Sequence, residues 1–176
     1  MARIAILITD MFQDAEFSRP DSAFREAGHQ VEHVGLHRGN MAKGLEAKIS
    51  VLIDSEVDSS SAEEYDALFI PGGYSPDRLR ENNNALRLVR QFMNKDKPVF
   101  IVSHGLQLLI SACMLAGRRV AGRRGLIQDV ANAGGILTDR EVEIDGNLVS
   151  CSGEAELPAF INACLQKLSP NHTLMP

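Results

Sequence analysis

The chain has 176 residues, 44% of them hydrophobic and 23% charged, which is room for one sizeable core, with no sign of a second. Its formal net charge of −5 excludes a general nucleic-acid binder, because phosphate contacts need an excess of Lys and Arg. The cysteines Cys113, Cys151 and Cys164 are odd in number, and two of them fall in helical apolar patterns, which excludes a secreted disulfide framework and points to a reducing cytoplasm.

The first element is the apolar run from Ile4 to Thr9, suited to a parallel strand covered on both faces. At about five apolar residues it is too short for a signal sequence or a bilayer span. A helix follows. Pro20 is best tolerated in a first turn, so the spacing predicts a helix from near Ser18 to Gly28, with Asp14 and Glu16 left in the connection before it. Val31 to Leu36 reads as the second strand, Ile49 to Ile53 as a shorter one, and Ala67 to Ile70 as a buried strand ending in Pro71-Gly72-Gly73. The helix after Asn84 carries an apolar stripe of Leu86, Val89, Phe92 and Met93, and Lys97-Pro98 ends it.

Val99 to Val102 is the predicted central strand, and the helix it feeds is expected to bury Leu106, Leu109, Ile110 and Cys113. A helix near Gly125 to Ala133, strands near Val142 to Ile144 and Leu148 to Ser150, and a closing helix from Glu154 to Leu168 complete the order. Residues 169 to 176 read as a loose tail. Strands alternating with helices imply a single α/β domain over residues 1 to 168. Its central sheet is mostly parallel, with helices on both faces and a ligand site at the carboxyl ends of the strands.

Three segments should meet at that edge. The strongest is VFIVSHGLQLL, where an apolar strand feeds Ser103-His104-Gly105 and then a helix at once, the shape of a nucleophile elbow. The elbow side chain is pushed clear of the sheet, and backbone N–H groups beside it face a developing oxyanion. A serine stands there, and a hydroxyl needs a base that a thiol near neutral pH does not. His104 is the adjacent base, although neighbouring side chains at an elbow usually diverge; Glu16 is the competing one. Gly72 and Gly73 let backbone approach closely, and their amides would serve an oxyanion beside that of His104. Against this stand plain alternatives: a mere tight turn at 71 to 73, and an exposed loop acid at Glu16.

Two further patterns carry less. His29, His33 and His37 recur every four residues, but in a strand that spacing is about 13 Å, too far to share an ion, and no metal site is expected. Arg118, Arg119, Arg123 and Arg124 in GRRVAGRRG read as a solvated rim. Cys113, ten residues beyond Ser103, would lie about 15 Å away along a continuous helix and reads as a small core residue.

The ordered set EYDALFIPGG, SPDRLR, KPVFIVSHGLQLLISA, the NAGG segment and the LPAF helix resembles the PfpI family of the DJ-1/PfpI superfamily, from Arg3 to about Leu168. The resemblance implies a flavodoxin-like three-layer sandwich related to class I glutamine amidotransferases. It also implies peptidase, amidase, glyoxalase or deglycase activity on small carbonyl, amide or peptide substrates, or a stress-associated, chaperone-like role, with no cofactor. The family's nucleophilic cysteine corresponds to Ser103, its adjacent histidine to His104 and its buried glutamate to Glu16. An acid supplied by a neighbouring subunit corresponds to Asp77, so a homodimer or larger oligomer is implied, with no nucleic-acid or membrane partner. The chain departs from the pattern at Ser103, at Leu106 where the family has proline, and at Gly153 in CSGEAEL. The first departure removes sulfur redox chemistry from the elbow and implies weak or absent turnover.

Overall fold

Apolar runs at the expected places form strands. In chain order the elements are β1 (Arg3–Leu7), α1 (Asp14–Glu26), β2 (Gln30–Gly35), β3 (Met41–Lys43), β4 (Ser50–Leu52), β5 (Ser55–Glu56), β6 (Ala67–Ile70), α2 (Ser75–Leu79) and α3 (Asn83–Asn94). They continue with β7 (Val99–Val102), α4 (Leu106–Ser111), β8 (Arg119–Val120), α5 (Ile127–Asn132), β9 (Ile136–Leu137), β10 (Val142–Asp145), β11 (Leu148–Cys151) and α6 (Leu157–Leu168). The computed structural model describes residues 1–170; most of the expected loose tail, residues 171–176, lies outside the described residues.

Seven strands form one sheet in the order β10-β11-β7-β6-β1-β2-β5. All neighbours in it are parallel except β10 and β11, which make an antiparallel pair. The middle place belongs to β6, with β7 one position away. Both are buried at every residue, as strands covered by helices on two faces must be. Side-chain alternation divides the core in two. Ile4, Ile6, Phe69 and Phe100 face Phe17 and Phe24 of α1 and Phe160 and Cys164 of α6. Ala5, Leu7, Leu68 and Ile101 face Leu88 and Phe92 of α3 and Leu108 and Leu109 of α4. Each fully buried Leu or Phe contributes roughly 1.5–3 kcal/mol, so the sheet is fixed from both sides. The expected α/β sandwich is the observed one.

Two expectations are corrected, the first by tertiary packing and the second by the way a helix ends. The first helix starts at Asp14, not near Ser18, and runs through Pro20. An interior proline withholds the N–H that the Glu16 carbonyl would accept and costs about 3 kcal/mol in an isolated helix. Burial of Phe17, Pro20 and Phe24 offsets this. Asp14 and Glu16 therefore occupy a rigid first turn. Asp14 also accepts the backbone N–H groups of Glu46, Lys48 and Ile49 at 2.9, 3.1 and 3.1 Å, tying the β3–β4 loop to α1. The second correction concerns Cys113. Helix α4 ends at Ser111, and Cys113 follows it, exposed and left-handed with φ 58°. Its N–H donates to the Ile110 carbonyl and that of Met114 to the Leu109 carbonyl, which closes the helix in a Schellman turn. It is neither helical nor core.

Candidate functional site

The elbow is built by one unusual backbone angle. β7 ends at Val102, Ser103 adopts φ 55°, and a single 3-10 turn over Ser103–Gly105 leads into α4. A side chain at Gly105 would place its Cβ 2.9 Å from both the Ile70 carbonyl oxygen and Ile101 Cγ2, so only glycine lets the turn close onto β6. Left-handed backbone at a serine is strained and persists where the surroundings over-determine it. Ser103 is 1% exposed. Its Oγ lies 3.3 Å from His104 Nδ1, so the expected divergence of the two side chains does not occur: the Ser103 turn swings them together. Burial holds the His104 pKa below its ordinary value. The Arg123 charge adds to that effect, and the Asp77 charge opposes it. A neutral imidazole can accept a proton from a hydroxyl.

Glu16 enters from the first turn of α1. It is 5% exposed, which removes the exposed-loop alternative, and its Oε2 has no hydrogen-bond partner. Burial raises its carboxyl from 4.5 to about 7, and Glu154 pushes the same way. Arg123 and the Gly72 backbone N–H act against the rise. A Cβ on Gly72 would overlap Glu16 Oε2 and stand 3.0 Å from Ser103 Cβ. The absence of that side chain is what lets the acid and the elbow share one space.

That space is a cavity of about 390 Å³, in which Glu16, Gly73, Ser103 and His104 meet Arg123, Gly153 and Glu154. Gly73, at φ 82°, forms a bridge to Phe12, and the adjacent Tyr74 N–H donates to the Met11 carbonyl at 2.8 Å. The PGG turn is thus both a tight turn and a cavity wall. Gly72 lies buried behind the wall and does not line the cavity. Asp77 lies on α2, 59% exposed, 3.5 Å from Arg80 Nη1 and outside the cavity lining. Four of the six residues expected at the site are therefore brought together in one chain.

Arg123 was not legible as a site residue. In the arginine cluster it differs from Arg118, Arg119 and Arg124 only by its neighbours, which sequence spacing does not give. Glu154 and the exposed Leu45 and Tyr74 at the cavity mouth are equally new; only the departure at Gly153 had drawn attention to that loop.

A wider groove of about 1160 Å³ lies between α1, β2 and β4. Its histidine and acidic groups pair locally: His33 Nε2 is 3.1 Å from Asp21, His33 Nδ1 is 3.2 Å from the Leu52 carbonyl, and Arg25 is 3.1 Å from Asp21. His29 Nδ1 instead accepts the Ala2 N–H. Among the described residues no three His, Cys, Asp or Glu are placed to hold a metal ion, and no helix is long and apolar enough to cross a membrane.

A strained elbow at the carboxyl end of an inner parallel strand, with a buried glutamate opposite, agrees with a match of the DJ-1/PfpI family to residues 2–167. The chain belongs to the DJ-1/PfpI family. Protein/nucleic acid deglycase 2 of Escherichia coli (strain K12) is 44% identical over 167 residues, covering 94% of this chain and 97% of that protein. General stress protein 18 of Bacillus subtilis (strain 168) is 38% identical over 159 residues, 90% and 92% of the two chains. Deglycase PfpI of Pyrococcus furiosus is 36% identical over 166 residues, 94% and 99%. Among solved structures, a two-domain protein from Anabaena variabilis with DJ-1/ThiJ/PfpI-like and ferritin-like domains superposes with a TM-score of 0.94 at 33% identity. It is matched over all of this chain and half of that one. Schizosaccharomyces pombe DJ-1 gives a TM-score of 0.85 at 18% identity, over 99% and 100% of the chains, a likeness of fold. The flavodoxin-like sandwich is thereby that of the DJ-1/PfpI family.

Proposed function

We propose that this DJ-1/PfpI member engages small carbonyl, amide or peptide ligands at the Ser103 elbow and turns them over weakly, because a hydroxyl stands where the family chemistry uses a thiol. The contact that carries the reading is Ser103 Oγ at 3.3 Å from His104 Nδ1, at the floor of a cavity of ligand size. In the productive step Oγ adds to the carbonyl carbon while its proton passes to His104, and the carbonyl electron pair becomes an oxyanion beside the Gly73 and His104 amides. For an amide, collapse expels the amine with the proton from His104, and water then cleaves the Ser103 ester. Positioned proton transfer contributes about 10²–10⁴-fold, but only when the base is oriented. Among the described residues of one chain no carboxylate hydrogen-bonds His104, and Asp77, outside the cavity lining, acts on it only as a charge. Asp77 of a neighbouring copy would supply that role in a homodimer or larger assembly, and the exposed Leu45 and Tyr74 flank the mouth where such a copy would sit.

A second reading, ligand capture without turnover, is favoured by one observation: Glu16 borders the cavity with a carboxyl that the elbow chemistry leaves unused. Methylglyoxal and peptide-amide turnover by the wild type, Ser103→Cys and Ser103→Ala separates the two. Weak activity lost in Ser103→Ala and raised at least tenfold in Ser103→Cys supports the enzyme. Silence in all three, with each variant folded, favours capture.

A further inference from the structure

The wall opposite Ser103 carries a cation that the elbow chemistry does not require. Arg123 lies in the turn between β8 and α5, exposed, and borders both the elbow cavity and an adjoining one of about 700 Å³. The other members of its cluster each lie beside a carboxylate: Arg118 beside Asp145 at 3.1 Å, Arg119 beside Glu143 at 3.8 Å, and Arg124 beside Asp139 at 3.7 Å. Among the described residues Arg123 has no carboxylate within 4.0 Å. It is a guanidinium free to bind, with a fork suited to a carboxylate.

Glu16 supplies the second half. Its carboxyl is 5% exposed and borders the same cavity, with Oε1 on the Gly153 side and Oε2 shut away beside Gly72. With its pKa near 7, raised by burial and Glu154 and opposed by Arg123 and the Gly72 N–H, Glu16 is largely a carboxylic acid below neutral pH. It then offers an O–H donor. His104, held toward its neutral form, and the nearby Cys151 thiol, whose pKa burial pushes up, add no charge there. Glu154, exposed on the rim, is the one opposing charge in the cavity lining. Donors therefore converge on the cavity, and an acceptor-rich anion complements them.

We propose that the elbow cavity selects small 2-oxo carboxylates, with Arg123 binding the carboxylate and Glu16 donating its O–H to the second carboxylate oxygen. The carbonyl half of this inference rests on the elbow reading above; the carboxylate half stands on Arg123 and Glu16.

Calorimetric titration of the full chain with pyruvate and with its neutral isostere pyruvamide at pH 6.5 tests it. Pyruvate is expected to bind at least tenfold more tightly than pyruvamide, and Arg123→Gln, an exposed substitution, to abolish that ratio by weakening pyruvate alone. Glu154→Gln is expected to tighten pyruvate. Raising the pH to 8.5 is expected to weaken it in the wild type and not in Glu16→Gln. Undetectable pyruvate binding, equal binding of the two probes, or an unchanged pyruvate Kd in Arg123→Gln overturns the inference. Its failure is distinct from failure of the elbow reading. Turnover of methylglyoxal by Ser103→Cys with no preference for pyruvate sinks the carboxylate site alone. Arg123-dependent pyruvate binding in a protein silent even as Ser103→Cys sinks only the catalytic reading.

Discussion

Replacing Glu16 by glutamine removes one titrating group from the cavity while keeping its shape, and its effect on stability is calculable. The carboxyl is raised from 4.5 to about 7, mainly by burial. At about 1.4 kcal/mol per pH unit, this is roughly 3 kcal/mol of penalty on the ionised form in the folded state. The sign follows from proton binding: between pH 4.5 and 7 the folded chain holds this proton more often than the unfolded one. The stability linked to it is full below pH 4.5 and lost as pH rises through 7. Integrated for this group alone, about 2.5 kcal/mol disappears between pH 5 and pH 8. Glutamine cannot ionise and lacks that slope. Urea denaturation of wild type and Glu16→Gln at both pH values isolates the effect, because every other carboxylate is common to the two proteins. The variant is expected to gain about 2–3 kcal/mol relative to wild type on going from pH 5 to pH 8. A difference that is the same at both pH values would refute the burial argument.

The remaining predictions concern the elbow wall, the thiols and the neighbouring copy. Gly73→Ala puts a side chain on a φ of 82°, with its Cβ 2.5 Å from Gln13 N and Met11 O. It is expected to cost on the order of 2 kcal/mol or more, read as a lowered denaturation midpoint; an unchanged midpoint contradicts the geometry. Thiol labelling of the native protein is expected to modify Cys113 quickly and to spare the buried Cys151 and Cys164, whose pKa values burial raises. Mass spectrometry of the labelled peptides decides this, and early modification of Cys164 would speak against the packed α6 face. Asp77→Asn in the Ser103→Cys background is expected to lower turnover at least tenfold if a neighbouring copy orients His104. Equal turnover, with the oligomeric state checked by sedimentation, removes Asp77 from the site.

The sequence alone determined the sheet and the elbow, because both are local. Four consecutive apolar β-type residues followed by Ser-His-Gly and an amphipathic segment admit little but a buried strand and a sharp turn, and β6 and β7 lie where those runs stand. The order of motifs likewise carried the family. Tertiary structure decided what depends on partners distant in the chain. Pro20 would end an isolated helix, and only burial of Phe17, Pro20 and Phe24 against the sheet lets α1 start early enough to carry Glu16 into the cavity. Ser103 and His104 meet because packing around Gly105 holds a left-handed residue that local propensity disfavours. Arg123 and Arg124 are adjacent and chemically identical, yet Arg124 lies beside Asp139 while Arg123 borders the elbow cavity. Such differences arise from the field and the walls of the folded chain, since desolvation and charge pairing act through space, where sequence neighbours count for little.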